Sequence, residues 1–160
     1  MQVEAPFEAK GLRIKKDWID YNGHLNMAYY NVMFDQAVDQ AFESCGLGPE
    51  YLKERNASYY TLEVHINYLR EVHLTTPLRI SLQMLDFDAK RVHYFLQMHH
   101  ETEGWVAATS EQLCMHIDMA AKRAAPFPDD VLARIEAMRN AHKGLPLAPQ
   151  IGHVIGIKRK

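Results

Sequence analysis

The stretch Asp20-Tyr21-Asn22-Gly23-His24-Leu25-Asn26 gathers a carboxylate, two amides and an imidazole around one glycine. Side chains of these types accept and donate protons, orient water and hold a polarised carbonyl, which is the equipment of acyl chemistry. Asn22-Gly23 is a turn dipeptide that tolerates positive φ. The polar cluster opens directly onto a segment, 27–45, in which Tyr30, Met33, Phe34, Ala37, Val38, Ala41 and Phe42 recur at helical spacing. Asp35, Gln36, Asp39, Gln40 and Glu43 fall on another face, so the period is 3.6 and the segment is an amphipathic helix. Asn26 is the expected N-cap. The loop therefore delivers its groups to a helix N-terminus, where unpaired backbone N–H groups and the positive end of the dipole stabilise an oxyanion.

The elements that would hold this loop can be read coarsely. Gly11–Lys16 reads as a short first strand. Gly46, Gly48 and Pro49 end the long helix, and 50–55 reads as one more helical turn. Residues 58–70 alternate, with Leu62, Val64, Ile66 and Tyr68 on one side and Glu63, His65 and Asn67 on the other. Residues 78–87 and 91–101 flank a hairpin tip at Asp88-Ala89, and 105–119 follows Glu103-Gly104 as the last strand. Long antiparallel strands joined by short turns after one helix imply an α+β fold in which a curved sheet wraps that helix. Pro128, Asp129 and Asp130 begin a C-terminal helix that runs to His142, before Gly144 and Pro146. Residues 145–160 form a Gly- and Pro-punctuated tail with a basic end.

Composition bounds the functional classes. A chain of 160 residues, 48% hydrophobic and 24% charged, has material for one core, so a single domain is expected, with its centre at about 7–121. Eighteen Lys plus Arg against 20 Asp plus Glu give a formal charge of −2, which offers nothing to nucleic acid. The start of the sequence has no basic region followed by an apolar run, and no stretch approaches the length of apolar chain that spans a bilayer; a cytoplasmic protein is expected, without membrane association. Cys45 and Cys114 are isolated and read as reduced core thiols. His65, His93, His99, His100 and His116 lie on expected strands, and neighbours His99 and His100 point to opposite faces, so no metal site is expected.

The pattern D-x-x-G-H-x-N-x-x-x-Y, realised by Asp20, Gly23, His24, Asn26 and Tyr30 and followed by the long helix with Asp35, resembles the hotdog-fold acyl-CoA thioesterases of the 4-hydroxybenzoyl-CoA thioesterase type. The similarity runs from about Phe7 to about Ala121. Members often carry a second Asn after the one at position 26 and an Arg three residues after the helix acid; Met27 and Val38 stand there in this chain. The departures bear on pocket shape and subfamily. The resemblance implies a hotdog fold, an acyl-CoA substrate whose coenzyme A is the only cofactor-like group, and a homodimer or dimer of dimers with sites built from two chains.

It also implies roles. Asp20 would act as general base on water or as nucleophile; the thioester oxygen would face the amides near Met27, with Asn22 and His24 as donors or orienters and Gly23, Asn26, Met27 and Tyr30 lining the substrate. Glu71 resembles the acid found at the matching strand end in plant acyl carrier protein thioesterases; the plainer alternative is a charged strand end. Arg70, Lys90 and Arg91 are candidates for the coenzyme phosphates. Trp18, Tyr21, Tyr29, Tyr30, Tyr59 and Tyr60 read mostly as core and subunit contacts, or else as a cation–π box for a quaternary ammonium acyl group, as the betainyl-CoA thioesterases of carnitine breakdown would need. The rivals are an enoyl-CoA hydratase, whose usual Pro-Leu-His turn the chain lacks, and a non-catalytic acyl-binding module, which has no use for a carboxylate at the helix mouth.

Overall fold

A computed structural model describes residues 3–159. The long helix, α1, spans Met27–Ser44, as its periodicity requires, and buries Tyr30, Met33, Phe34, Ala37, Val38, Ala41 and Phe42. Its C-terminus closes as a Schellman motif: the Gly46 N–H donates to Glu43 O and the Leu47 N–H to Phe42 O, with Gly46 at φ +82°. A second helix, α2, covers Pro49–Arg55 with Pro at its first turn.

Five strands and a two-residue extension form one antiparallel sheet. They are β1 Phe7–Ala9, β2 Ala57–Tyr68, β3 Leu78–Phe87, β4 Arg91–His100, β5 Val106–Asp118 and β6 Arg123–Ala124. The order is β1-β3-β4-β5-β2, with β6 also on β5. Ile80, Leu82, Met84, Val92, Tyr94, Leu96, Met98, Ala108 and Cys114 are all essentially buried in the same cluster as the α1 stripe, so the sheet curls around the helix. This is the hotdog arrangement. Leu78–Phe87 carries the expected bounds, and β5 ends one residue inside its expected limit.

Two expectations need correction. The first strand is not Gly11–Lys16 but Phe7–Ala9, paired with Ile80–Leu82. Beyond it, both backbone groups of Lys10 bond to the Gln40 side chain on α1, N–H to Oε1 at 2.8 Å and C=O to Nε2 at 2.9 Å; Gly11 then turns at φ +71°. The ladder cannot continue, and Lys16–Trp18 folds into a single 3-10 turn that buries Trp18. Nor is β5 the last strand, since Arg123–Ala124 returns to pair with Ile117 and Asp118.

The third helix, α3 (Asp129–His142), starts with Pro128 at its N-cap and covers the β3 edge beyond β1. There the Met84 N–H donates to His142 Nδ1 at 2.9 Å and Arg139 donates to Leu85 O, so side chains satisfy edge groups that would otherwise be unpaired. The tail then lies on the outer face of the sheet. Gln83 reaches Leu145 O, the Gly152 N–H donates to Glu111 Oε2 at 2.7 Å, and the rings of His153 and His65 are 5.6 Å apart.

Candidate active site

The loop before α1 folds as its residue types dictate. The Asp20 carboxylate closes an Asx turn by accepting the Asn22 N–H on Oδ1 at 2.8 Å, and the Gly23 N–H donates to Asp20 O at 2.9 Å with Gly23 at φ +83°. The Asp20 N–H returns to His24 O. Asn26 is the N-cap: its Oδ1 accepts the Ala28 N–H at 3.0 Å. Its amide also faces Asp20 Oδ2, at 3.4 Å. Both carboxylate oxygens thus meet protein donors and the plane of the carboxylate is fixed at the helix mouth. The Ala28 and Tyr29 amides are committed to Asn26, which leaves the Met27 amide as the first-turn donor free to meet an oxyanion. Met27 itself is 64% exposed.

A second segment, 69–73, comes alongside. The Leu69 and Arg70 N–H groups both donate to Ala107 O, and the Leu25 N–H donates to Val72 O, which ties the loop to the end of β2. Glu71 is thereby brought to the cluster, its Oε2 3.4 Å from His24 Nε2. His73 joins from the other side, with Nδ1 3.2 Å from Gly23 O and Nε2 3.7 Å from Glu71 Oε1. The Tyr68 hydroxyl donates to Met27 O at 2.9 Å and its ring packs edge-on against buried Tyr30, 5.1 Å between centroids. Burial pushes the phenol pKa values of Tyr30 and Tyr68 up, so both remain neutral hydroxyls.

Asp20, Asn22, Gly23, His24, Asn26, Met27, Tyr30 and Glu71 therefore share one neighbourhood. Asn22 enters through its backbone N–H. His73 and Tyr68 carry contacts in that neighbourhood but were not among the sequence candidates; the signal for His73 was its i,i+2 spacing from Glu71 on either side of buried Val72.

Other expected groupings do not form within one chain. The Arg70 N–H bonds at Ala107, whereas Arg91 pairs with Met115; eight residues of β5 put these points about 26 Å apart. Arg70 stacks on Trp105, and Arg91 is held by Asp88, so the two phosphate candidates occupy separate regions of the chain. The aromatic residues are likewise split. Trp18 stacks on Tyr29, Tyr59 packs against Phe42 and donates to Asp39, and Tyr21 is 98% exposed. Cys45 and Cys114 are buried with their thiol pKa values pushed up to about 11 and about 12, so neither is a thiolate nucleophile.

Two cavities among the described residues lie elsewhere. One of about 460 Å³ sits on the outer face near His65, His93 and Glu111, and one of about 540 Å³ lies between α1, α2 and β2. Neither is lined by Asp20, His24 or Glu71. In a single subunit the cluster faces open surface.

Residues 14–135 match the thioesterase-like superfamily. The chain belongs to that superfamily. It is 38% identical over 141 residues to the betainyl-CoA thioesterase of Pseudomonas aeruginosa, covering 88% of this chain and 89% of that one. It is 33% identical to the L-carnitine dehydrogenase/betainyl-CoA thioesterase of Rhizobium meliloti, where 99% of this chain corresponds to 32% of the longer protein. A Staphylococcus aureus protein solved in complex with CoA superposes with a TM-score of 0.91 over 99% of both chains at 28% identity. This thioesterase-like chain has no helix, among the described residues, long and apolar enough to cross a membrane.

Proposed function

We propose that this acyl-CoA thioesterase hydrolyses a short acyl-CoA carrying a fixed positive charge, with betainyl-CoA as its substrate. The observation that carries the acyl assignment is the 38% identity to a betainyl-CoA thioesterase across nearly the full length of both chains. Asp20, held at the mouth of α1 by Asn22 and Asn26, takes a proton from water as the oxygen attacks the thioester carbon. The carbonyl oxygen becomes an oxyanion opposite the Met27 amide and the α1 dipole. Collapse breaks the C–S bond, and the proton held by Asp20 passes to the departing thiolate. His24 and Glu71 orient the water and the thioester from the other side. The reaction as proposed needs no cofactor beyond the coenzyme A of the substrate.

A betainyl group has one methylene between its carbonyl and its ammonium. The groups that recognise the charge must therefore lie beside the scissile carbon, within about 6 Å for an aromatic face. Asp20 and Tyr68, whose hydroxyl donates to Met27 O, gather at the mouth of α1 with Glu71 beside His24, whereas Tyr59 is nine residues along β2 from Tyr68 and about 30 Å away.

Assembly follows the same logic. β2 is an edge of the sheet, and Tyr60, Leu62, Val64, Tyr68 and Leu69 on or beside it are 38–49% exposed. An open apolar edge of this length invites a second copy. We propose a homodimer, with pairs able to associate further, in which the partner covers the exposed cluster and completes the acyl pocket; cytoplasmic residence fits this assignment.

The test compares betainyl-CoA with 3,3-dimethylbutyryl-CoA, in which a tert-butyl group replaces the trimethylammonium at nearly equal volume. A preference of at least about tenfold in kcat/KM for the cation, equivalent to one buried charge contact, is expected. Equal turnover of the two would reject the charged acyl assignment while leaving thioester hydrolysis intact.

A further inference from the structure

Resting on the thioesterase function proposed for the same cluster, we propose that His73 is a positioning residue that holds Glu71 against His24 and ties that pair to the Asp20 loop. Its ring meets Gly23 of the loop on one side and Glu71 on the other. Nδ1 lies 3.2 Å from Gly23 O; a carbonyl only accepts, so Nδ1 carries a hydrogen. In the protonated ring Nε2–H also faces Glu71 Oε1, at 3.7 Å, as an ion pair, while the other oxygen of the same carboxylate is 3.4 Å from His24 Nε2. Glu71 is therefore bracketed by two imidazoles, whose rings stand edge to face with centroids 6.2 Å apart.

The backbone under His73 is built to keep it there. The His73 N–H donates to Thr76 Oγ1 at 2.9 Å and the Thr76 N–H returns to His73 O at 3.0 Å, closing a reciprocal turn. Val72, between Glu71 and His73, is fully buried and accepts the Leu25 N–H, so its two neighbours are pinned on the outward side. Exposed charge pairs stabilise a fold little. Glu71 and His73 side chains are 60% and 56% exposed, so this bracket contributes orientation at the reaction centre and little to folding.

The two arms can be separated by shape. The amide of Asn occupies the place of Nδ1, so His73→Asn keeps the Gly23 arm and loses the Glu71 arm; His73→Gln does the reverse. Steady-state thiol release from betainyl-CoA is measured for both, for Glu71→Gln, and for the Glu71→Gln/His73→Asn pair, all on the full chain. The expected result is a loss of about tenfold in kcat for His73→Asn with KM within about twofold, recovery of most of that loss in His73→Gln, and no further loss when His73→Asn is added to Glu71→Gln. Full activity in His73→Asn, or losses that multiply in the double variant, would overturn the proposal, because His73 would then act as a loop tie alone. Should the wild type cleave no thioester at all, the thioesterase function falls on its own account, and NMR still decides this one. The His24 ring signals are expected to move in His73→Asn and stay in place in His73→Gln; unmoved signals in both variants would overturn it.

Discussion

His142 holds three parts of the fold together through one ring, and its replacement has a calculable cost. The side chain is fully buried; Nδ1 accepts the Met84 N–H at 2.9 Å and Nε2–H donates to Glu4 O at 2.8 Å. An amide can only donate and a carbonyl only accept, so the ring is the neutral Nε2–H tautomer. His142→Ala strands the Met84 amide at about 1–3 kcal/mol and removes packing worth on the order of 1–2 kcal/mol, for a total loss of about 2–5 kcal/mol. His142→Asn keeps an acceptor where Nδ1 stood and should lose about 1–2 kcal/mol. Burial holds the folded pKa below the ordinary 6.5. The unfolded chain therefore binds the proton first: the contribution of the neutral ring is complete above the unfolded value and lost as pH falls toward the folded one, at up to about 1.4 kcal/mol per pH unit. Urea unfolding at pH 7.5 and 5.5, at one fixed protein concentration, reads both effects. The wild type should lose stability on acidification and both variants should lose less. Variants within 0.5 kcal/mol of wild type, or a pH dependence unchanged by the substitution, would refute the assigned role of His142.

Further outcomes follow from the site. Tyr68→Phe removes the hydroxyl bond to Met27 O but keeps the ring on Tyr30; kcat/KM should fall by about three- to tenfold with a stability loss near 1 kcal/mol, read by thiol release and thermal melting. Gly23→Ala meets no steric neighbour but must hold φ +83°, so a loss of about 1–2 kcal/mol is expected from backbone strain alone, along with reduced turnover as the loop shifts. The two buried thiols should resist iodoacetamide in the native protein at pH 8 and react fully in urea; mass spectrometry of native samples modified at Cys45 would contradict the burial.

Much of this was legible because it is local. α1 announces itself through a stripe that the structure buries residue for residue, and Asn26 through its position before that stripe. The site loop is also local, since Asp20, Gly23, His24 and Asn26 form their contacts within a few residues of one another. What escaped is non-local. β1 has three residues and exists only because β3 pairs with it. β2 lies beside β5 and not beside its sequence neighbour β3, a placement decided by core packing. His73 reaches Gly23 fifty residues away, and His142 reaches Glu4 across 138; no spacing rule reports either contact. Arg70 and Arg91, both named for the coenzyme phosphates, sit at opposite ends of β5, near Ala107 and Met115, a separation that only the strand pairing reveals.

The most direct test of the central claim is thiol release from acyl-CoA by the wild type and by Asp20→Asn side by side, with thermal melts confirming that both are folded. Asn keeps the shape and the acceptor for the Asn22 N–H but cannot take a proton from water. The account predicts a fall in kcat of at least about 10²-fold at unchanged melting temperature. Turnover by Asp20→Asn within about twofold of wild type would contradict it and place the chemistry away from the mouth of α1.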